Sequence, residues 1–357
     1  MTAAAQVRFA RAERIALIGA IAAALLAALL IWHSPQALAP AYRFAVFACF
    51  GPPVGSLLFL LIYKTTGGQW GETLRPFLSA GMRLVPWIWL IAIPLLFSAA
   101  REQTSIAGAS SWIDYFSLPM VATRAGFYAL IFFIVTGLVR RSGPPASPPW
   151  LGPGGLIVTV FMLHLLAQDW IASLQPHWFS TAFPIVWITG QAVSGVAGAT
   201  LAAIIFGRHL PGEKGSSRRA LGLDWGNLML AATMFWCYVA FAQFLIIWAG
   251  NMPAETSWYV QRSRGGWLGV VIVLGVVHFA IPLLVLLSRE VKRSSRMLGG
   301  IAALLLGAQL LYIAWLILPA FSFNGPTAAL SLALLVALGG FFLNRYLAGA
   351  RRQLEVA

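Results

Sequence analysis

Carboxylates are scarce in this chain. Asp and Glu supply 10 of 357 residues against 24 Lys and Arg, a formal net charge of +14. Cysteine is scarcer still: Cys49 and Cys237 are the only two, and both lie in apolar runs. That excludes a disulfide framework, a CxxC pair and a CxxCH haem attachment, and with them any iron–sulfur or covalent haem site belonging to the chain itself. All charged residues together make up 10% of the sequence, while 60% is apolar and the mean hydropathy is +0.82. No soluble domain of this size can bury so much apolar surface, so the composition indicates an all-α polytopic membrane protein. The basic excess does not indicate nucleic acid as a partner, because Lys and Arg fall in short segments between apolar runs, as membrane topology requires.

Ten apolar runs read as spans: 15–32, 41–63, 78–98, 121–139, 154–174, 181–207, 226–250, 266–288, 297–318 and 327–347. Residues 1–14 form a basic N-terminus and 348–357 a short tail. Ala37-Leu38-Ala39 resembles a signal-peptidase site, but the run before it is long for a signal, which favours a retained anchor. Eighteen of the 24 basic residues fall in the N-terminus, alternate loops and the C-terminus, among them Arg8, Arg11, Lys64, Arg140, Lys214, Arg289 and Arg352. The opposite loops hold Arg43, Arg101, Arg262 and Arg264, and Arg83 and Arg124 lie inside spans. This asymmetry, with an even number of spans, predicts that both termini are cytoplasmic. Gly51-Pro52-Pro53-Val54-Gly55 stands in the middle of the second span, where proline removes backbone donors; a kink or unwinding is expected. Pro86 and Pro94, Pro184 and Pro282 predict kinks in the third, sixth and eighth spans.

Ionisable groups inside a span are costly, so each calls for a partner or a task. Arg83 is placed to snorkel toward the near interface, and Arg124 toward the far one. His164 lies deep in the fifth span, with Gln168 one turn on along the same face and Asp169 on the next; His177 follows at the outer surface. His278 lies deep in the eighth span. These groups allow three readings: satisfied core histidines, a bis-histidine haem b held by His164 and His278, or a proton relay or quinone contact. An isolated Asp169 would serve the third, with water, Gln243 or His278 bridging it to His164.

The stretch Leu228–Arg262 organises the rest. Leu228–Ala249 is one span interrupted by Gln243, and Gly250-Asn251 with Pro253 is a helix stop. Beyond it, Glu255, Trp258, Tyr259 and Arg262 suit one short helical face at the headgroup boundary. An interfacial anchor is one reading; a contact surface or proton entry around Gln243, Asn251 and Glu255 is the other.

Two stretches resemble a known family. Met234-Phe235-Trp236 through Trp248-Ala249-Gly250-Asn251-Met252-Pro253-Ala254-Glu255 with Trp258-Tyr259 is similar to the ActF-type membrane subunit of alternative complex III. So are Asp169-Trp170 with Pro176-His177-Trp178-Phe179-Ser180-Thr181, and His278-Phe279 with Pro282, Ser288-Arg289 and Lys292-Arg293. That family is related to NrfD-like polysulfide-reductase anchors. The resemblance implies two four-helix bundles, spans two to five and six to nine, flanked by the outer helices. It also implies membership of a quinol:cytochrome c (or oxidase) oxidoreductase in a bacterial inner membrane. The implied partners are a multihaem cytochrome, an iron–sulfur subunit and a paralogous NrfD-like membrane subunit, which carry the haem and the clusters. No cofactor is expected on this chain beyond a quinone contact. A secondary transporter and a structural anchor for redox subunits stand as alternatives; broken helices such as Gly51–Gly55 would suit the former.

Overall fold

The computed structural model describes residues 3–107, 117–142, 148–175, 178–207 and 216–356. Among them are ten helical segments long and apolar enough to cross a membrane, and no strand. Helices satisfy every backbone donor internally, which is what hydrocarbon demands of runs this apolar. The protein is an all-α polytopic membrane protein.

The helices are α1 (Ala3–His33), α2 (Leu38–Thr66), α3 (Gln69–Met82), α4 (Val85–Ala107), α5 (Leu118–Arg141), α6 (Leu151–Trp170), α7 (Phe183–Phe206), α8 (Ser216–Gly250) and α9 (Pro253–Gln261). They continue with α10 (Trp267–Leu274), α11 (Ile281–Leu287), α12 (Arg289–Arg293), α13 (Ser295–Ile317) and α14 (Gly325–Val356). A π-helical segment, Gly275–Ala280, joins α10 to α11.

Several boundaries differ from the sequence reading. The third crossing is two helices, because the chain leaves α-geometry at Arg83-Leu84, just before Pro86. Pro86 has no N–H to donate toward the Met82 carbonyl and its ring crowds that carbonyl, so the helical hydrogen-bond ladder is interrupted there, with Val85 already in α4. Residues 3–14 and 348–356 are not loose ends but the outer turns of α1 and α14. They meet there: Asn344 Nδ2 donates to the Glu13 carbonyl at 2.9 Å, and Arg351 pairs with the Glu13 carboxylate at 3.3 Å. The start of α1 and the end of α14 therefore share one face, the terminal face; residues 178–182 and 251–266 lie on the opposite, distal face.

Pro52 and Pro53 do not unwind α2, which is helical from Leu38 to Thr66. The Ser56 hydroxyl donates to the Pro52 carbonyl at 2.6 Å. The flanking glycines have a different use from the predicted break. A Cβ on Gly55 would fall within the van der Waals envelope of the Gln191 carbonyl oxygen and 2.6 Å from the Gly195 nitrogen. One on Gly51 would lie 2.6 Å from Ser194 Oγ. Gly51-x-x-x-Gly55 is thus the small-residue seam through which α2 and α7 bring their backbones together.

Around that seam the crossings sort into two groups. α2 packs on α3, α4 and α6, and α4 and α6 each pack on α5; α7 packs on α8 and α13, and the π segment and α11 pack on α8. These are the two four-helix bundles, joined along α2 and α7, with α1 and α14 packed on each other and α14 also on α2 and α3. The second and sixth spans are accordingly the most buried.

The predicted stop after α8 is present. Asn251 takes φ +46°, its N–H donates to the Ile247 carbonyl at 3.0 Å, and α9 starts with Pro253. Left-handed geometry costs a β-branched residue most. Asn251→Gly should leave thermal stability nearly unchanged, whereas Asn251→Val should cost ~1–2 kcal/mol; equal melting temperatures for the two would remove the backbone explanation.

Candidate functional site

The distal end of the first bundle holds an ion pair that the sequence reading did not foresee. Arg124 on α5 was expected to snorkel and Asp169 on α6 to stand alone. Instead Arg124 Nε donates to Asp169 Oδ2 at 2.8 Å, and the Tyr128 hydroxyl donates to the same oxygen at 2.7 Å. Asp169 is 6% exposed and Tyr128 is buried. Arg124 and Tyr128 are one helical turn apart, so their side chains reach the carboxylate from one face of α5. A carboxylate with two strong donors, one of them cationic, differs from the isolated acid first expected.

The ends of α6 and α7 are tied by the loop between them. Gln168 Nε2 donates to the Ser180 carbonyl at 2.6 Å, and Ser173 Oγ to the Asp169 carbonyl at 2.6 Å. Gln168 therefore anchors a loop and does not extend a relay from His164. His164 is half-buried and makes no hydrogen bond among the described residues. His177 lies outside the described residues.

Trp178 Nε1 reaches across to the Glu255 carbonyl at 3.0 Å, and its ring stacks on Trp258 with centroids 4.0 Å apart. The α9 segment is consequently not a loose interfacial anchor, since Trp258 is buried. Arg262, just past α9, is 0% exposed and lies over Trp258 with its guanidinium carbon 3.2 Å from the ring centroid. Its Nε and Nη2 donate to the Leu316 carbonyl at 3.2 and 2.7 Å. That carbonyl belongs to the last turn of α13, where backbone acceptors are unpaired and a cation is favoured. Burial is the main influence on this guanidinium and lowers its pKa to about 9. Arg262 locks the distal cap; spacing alone marked only its place on the α9 face. Glu255 is half-buried, Asn251 exposed and Gln243 buried.

A second cluster lies inside the other bundle. His278, in the π segment, is 0% exposed; its ring lies 3.9 Å from Trp236 and 6.2 Å from Tyr312, centroid to centroid. Neither of its nitrogens has a protein partner among the described residues, and the same holds for Gln243 Nε2, Thr233 Oγ1 and both side-chain amide atoms of Gln309. Thr233, Trp236 and Gln243 recur at steps of three and seven residues along the inward stripe of α8. Gln309 and Tyr312 are one turn apart on α13. An unpaired buried polar atom costs ~1–3 kcal/mol, so this many together call for internal water or a small polar guest. His164 and Asp169 lie on α6, Gln243 on α8 and His278 in the π segment, and among the described residues no hydrogen bond or ring contact joins the first pair to the second.

Beside the ion pair, a cavity of about 550 Å³ runs between α4 and α5. It is lined by Trp87, Trp89, Ile93, Ala125, Phe133 and Trp170, among other apolar residues. Leu90 and Ile93 are exposed, so the groove opens sideways to the surrounding lipid. Ala125 adjoins Arg124 in sequence and Trp170 adjoins Asp169. Along α5 the lining runs from Ala122 to Phe133, about 16 Å at helical rise.

No family model matches the chain, and no curated protein matches it in sequence.

Proposed function

We propose that the first bundle is a quinone-type site, and that the chain serves as a membrane subunit of a quinol-oxidising respiratory complex without a redox centre of its own. The observation that carries this reading is the apolar lateral groove, whose lining residues Ala125 and Trp170 adjoin Arg124 and Asp169 in sequence. An isoprenoid tail suits such a groove, and a ring bearing two hydroxyls suits a carboxylate held by a phenol and a guanidinium. Oxidation of a quinol releases electrons and protons together. The electrons pass to a haem or iron–sulfur cluster in a partner subunit, and the protons leave at the distal face, which is periplasmic if the basic residues keep the terminal face in the cytoplasm. The partners remain those the family resemblance implies: a multihaem cytochrome, an iron–sulfur subunit and a paralogous membrane subunit.

The unpaired polar atoms around His278 favour a second reading for the other bundle, a hydrated path that carries protons. His278→Leu would then lower proton release without lowering quinol oxidation.

The test uses Asp169→Asn and the double variant Arg124→Gln with Asp169→Asn, which leaves no unpaired charge behind. Assembled complex and quinol oxidation are measured in the same membranes. Turnover per assembled complex should fall at least about tenfold in both, a loss of ~1.4 kcal/mol of transition-state stabilisation or more. Normal turnover in whatever complex assembles would leave Asp169 a structural residue and refute the quinone reading.

A further inference from the structure

Three guanidiniums converge on the terminal face from three separate parts of the chain. Arg83 sits at the break between α3 and α4, Arg140 at the end of α5 and Arg352 near the end of α14. α4 starts at this face where α5 ends, and the two pack on each other, which sets Arg83 beside the end of α5 that carries Arg140; α14, which carries Arg352, packs on α3. Arg140 and Arg352 both repel Arg83. The fold brings them together for local reasons. The α3–α4 break presents Arg83 at the surface of the bundle, and Gly349 lets α14 approach α3, where a Cβ would lie 3.5 Å from that of Ala80. Arg352 follows Gly349 by one turn, as Arg83 follows Ala80.

Among the described residues no carboxylate pairs with any of the three. The ion pairs among the described residues join Arg124 to Asp169 and Arg351 to Glu13. Glu72 on α3 and Glu355 on α14 form none with the three arginines. Like charges gathered without a counterion destabilise the arrangement that gathers them, and an anion between them reverses the sign. The cluster is also next to apolar surface of the right kind. Pro86 and Trp87, three and four residues beyond Arg83, form the near end of the α4–α5 groove, and Phe133 lines it two turns from Arg140. Arg345 lies over Trp87 at 5.7 Å, adding a fourth cation two turns before Arg352 on α14.

We propose that Arg83, Arg140 and Arg352 bind the phosphate of an anionic phospholipid in the terminal-face leaflet, with an acyl chain entering the groove at Pro86, Trp87 and Phe133. Guanidinium is the group suited to this, since its planar donors take a phosphate in pairs of hydrogen bonds. Basic pockets between membrane helices recognise acidic headgroups in this manner. The lipid occupies the near end of the groove and leaves the distal end, beside Asp169, to the quinone. The proposal does not rest on the quinone reading.

The purified protein is titrated in detergent with phosphatidylglycerol, phosphatidylcholine or inorganic phosphate, with bound lipid counted by native mass spectrometry and stability followed by thermal unfolding. Phosphatidylglycerol should bind and raise the melting temperature, and phosphatidylcholine and inorganic phosphate should do neither. Replacing all three arginines by glutamine should weaken phosphatidylglycerol binding at least about tenfold, or ~1.4 kcal/mol. Arg140→Gln and Arg352→Gln alone, both at exposed positions, should each weaken it severalfold, which keeps the result readable if the triple variant does not fold. Asp169→Asn should bind the lipid normally, separating this outcome from that of the quinone test. Equal binding by wild type and the single variants, equal binding of phosphatidylcholine, or an equal response to inorganic phosphate would each overturn the proposal.

Discussion

Gly55→Leu yields no folded protein. The substituted side chain would have to occupy space already filled by the backbone of α7 at Gln191 and Gly195, and neither backbone has a rotamer to change. Separating α2 from α7 would open the seam that joins the two bundles, along the two most buried spans of the molecule. Overpacking by side chains alone costs ~1–3 kcal/mol, and a clash against a helix backbone exceeds that. Gly195→Leu should behave alike, because a Cβ there lies 2.5 Å from the Gly55 Cα. Gly300→Leu is the control: nothing lies within 4 Å of a Cβ at that position, and leucine is the better helix former. Size-exclusion profiles of the three detergent-extracted variants are the measurement. A monodisperse peak for Gly55→Leu at wild-type yield would show that the α2–α7 contact is dispensable.

Arg124→Leu loses more stability than removing both halves of its ion pair. The single change leaves the Asp169 carboxylate buried with the Tyr128 hydroxyl as its remaining partner from α5. Stranding one charge of a buried pair costs ~3–5 kcal/mol. The double change, Arg124→Leu with Asp169→Leu, removes the stranded charge and should recover most of that loss, short of ~1 kcal/mol for the Tyr128 hydroxyl left without its acceptor. Thermal unfolding of wild type, both single variants and the double variant closes the cycle. Additive losses would mean that Arg124 and Asp169 contribute independently and that the pair does not couple α5 to α6. The two variants also bear on the proposed quinone site: a stable double variant that fails to oxidise quinol separates chemistry from folding.

What could be read in the sequence is what depends on local composition. The ten crossings follow from the length of each apolar run, because a bilayer of fixed thickness sets the same requirement on every run independently. The stop at Gly250-Asn251 and Pro253 follows from the conformations those residues permit, and the structure places Asn251 in the left-handed region there. Pro86 marked a disturbance, but not that the helix would break before it, at Arg83-Leu84. Arg124, Asp169, Gln243 and His278 were recognisable as costly in hydrocarbon, which singles them out without naming their partners.

The partners were decided by tertiary structure. Arg124 and Asp169 are 45 residues apart on different helices, and their meeting depends on how α5 and α6 are rotated about their own axes. Nearly uniform apolar helices carry a weak record of that rotation. The same freedom hid the burial of Arg262 under the end of α13. It also hid the purpose of Gly51 and Gly55, whose spacing serves a break and a close contact equally well. Hydrophobic length determines that a helix crosses; only packing against its neighbours determines which face of it looks inward, because lipid accepts any apolar face alike.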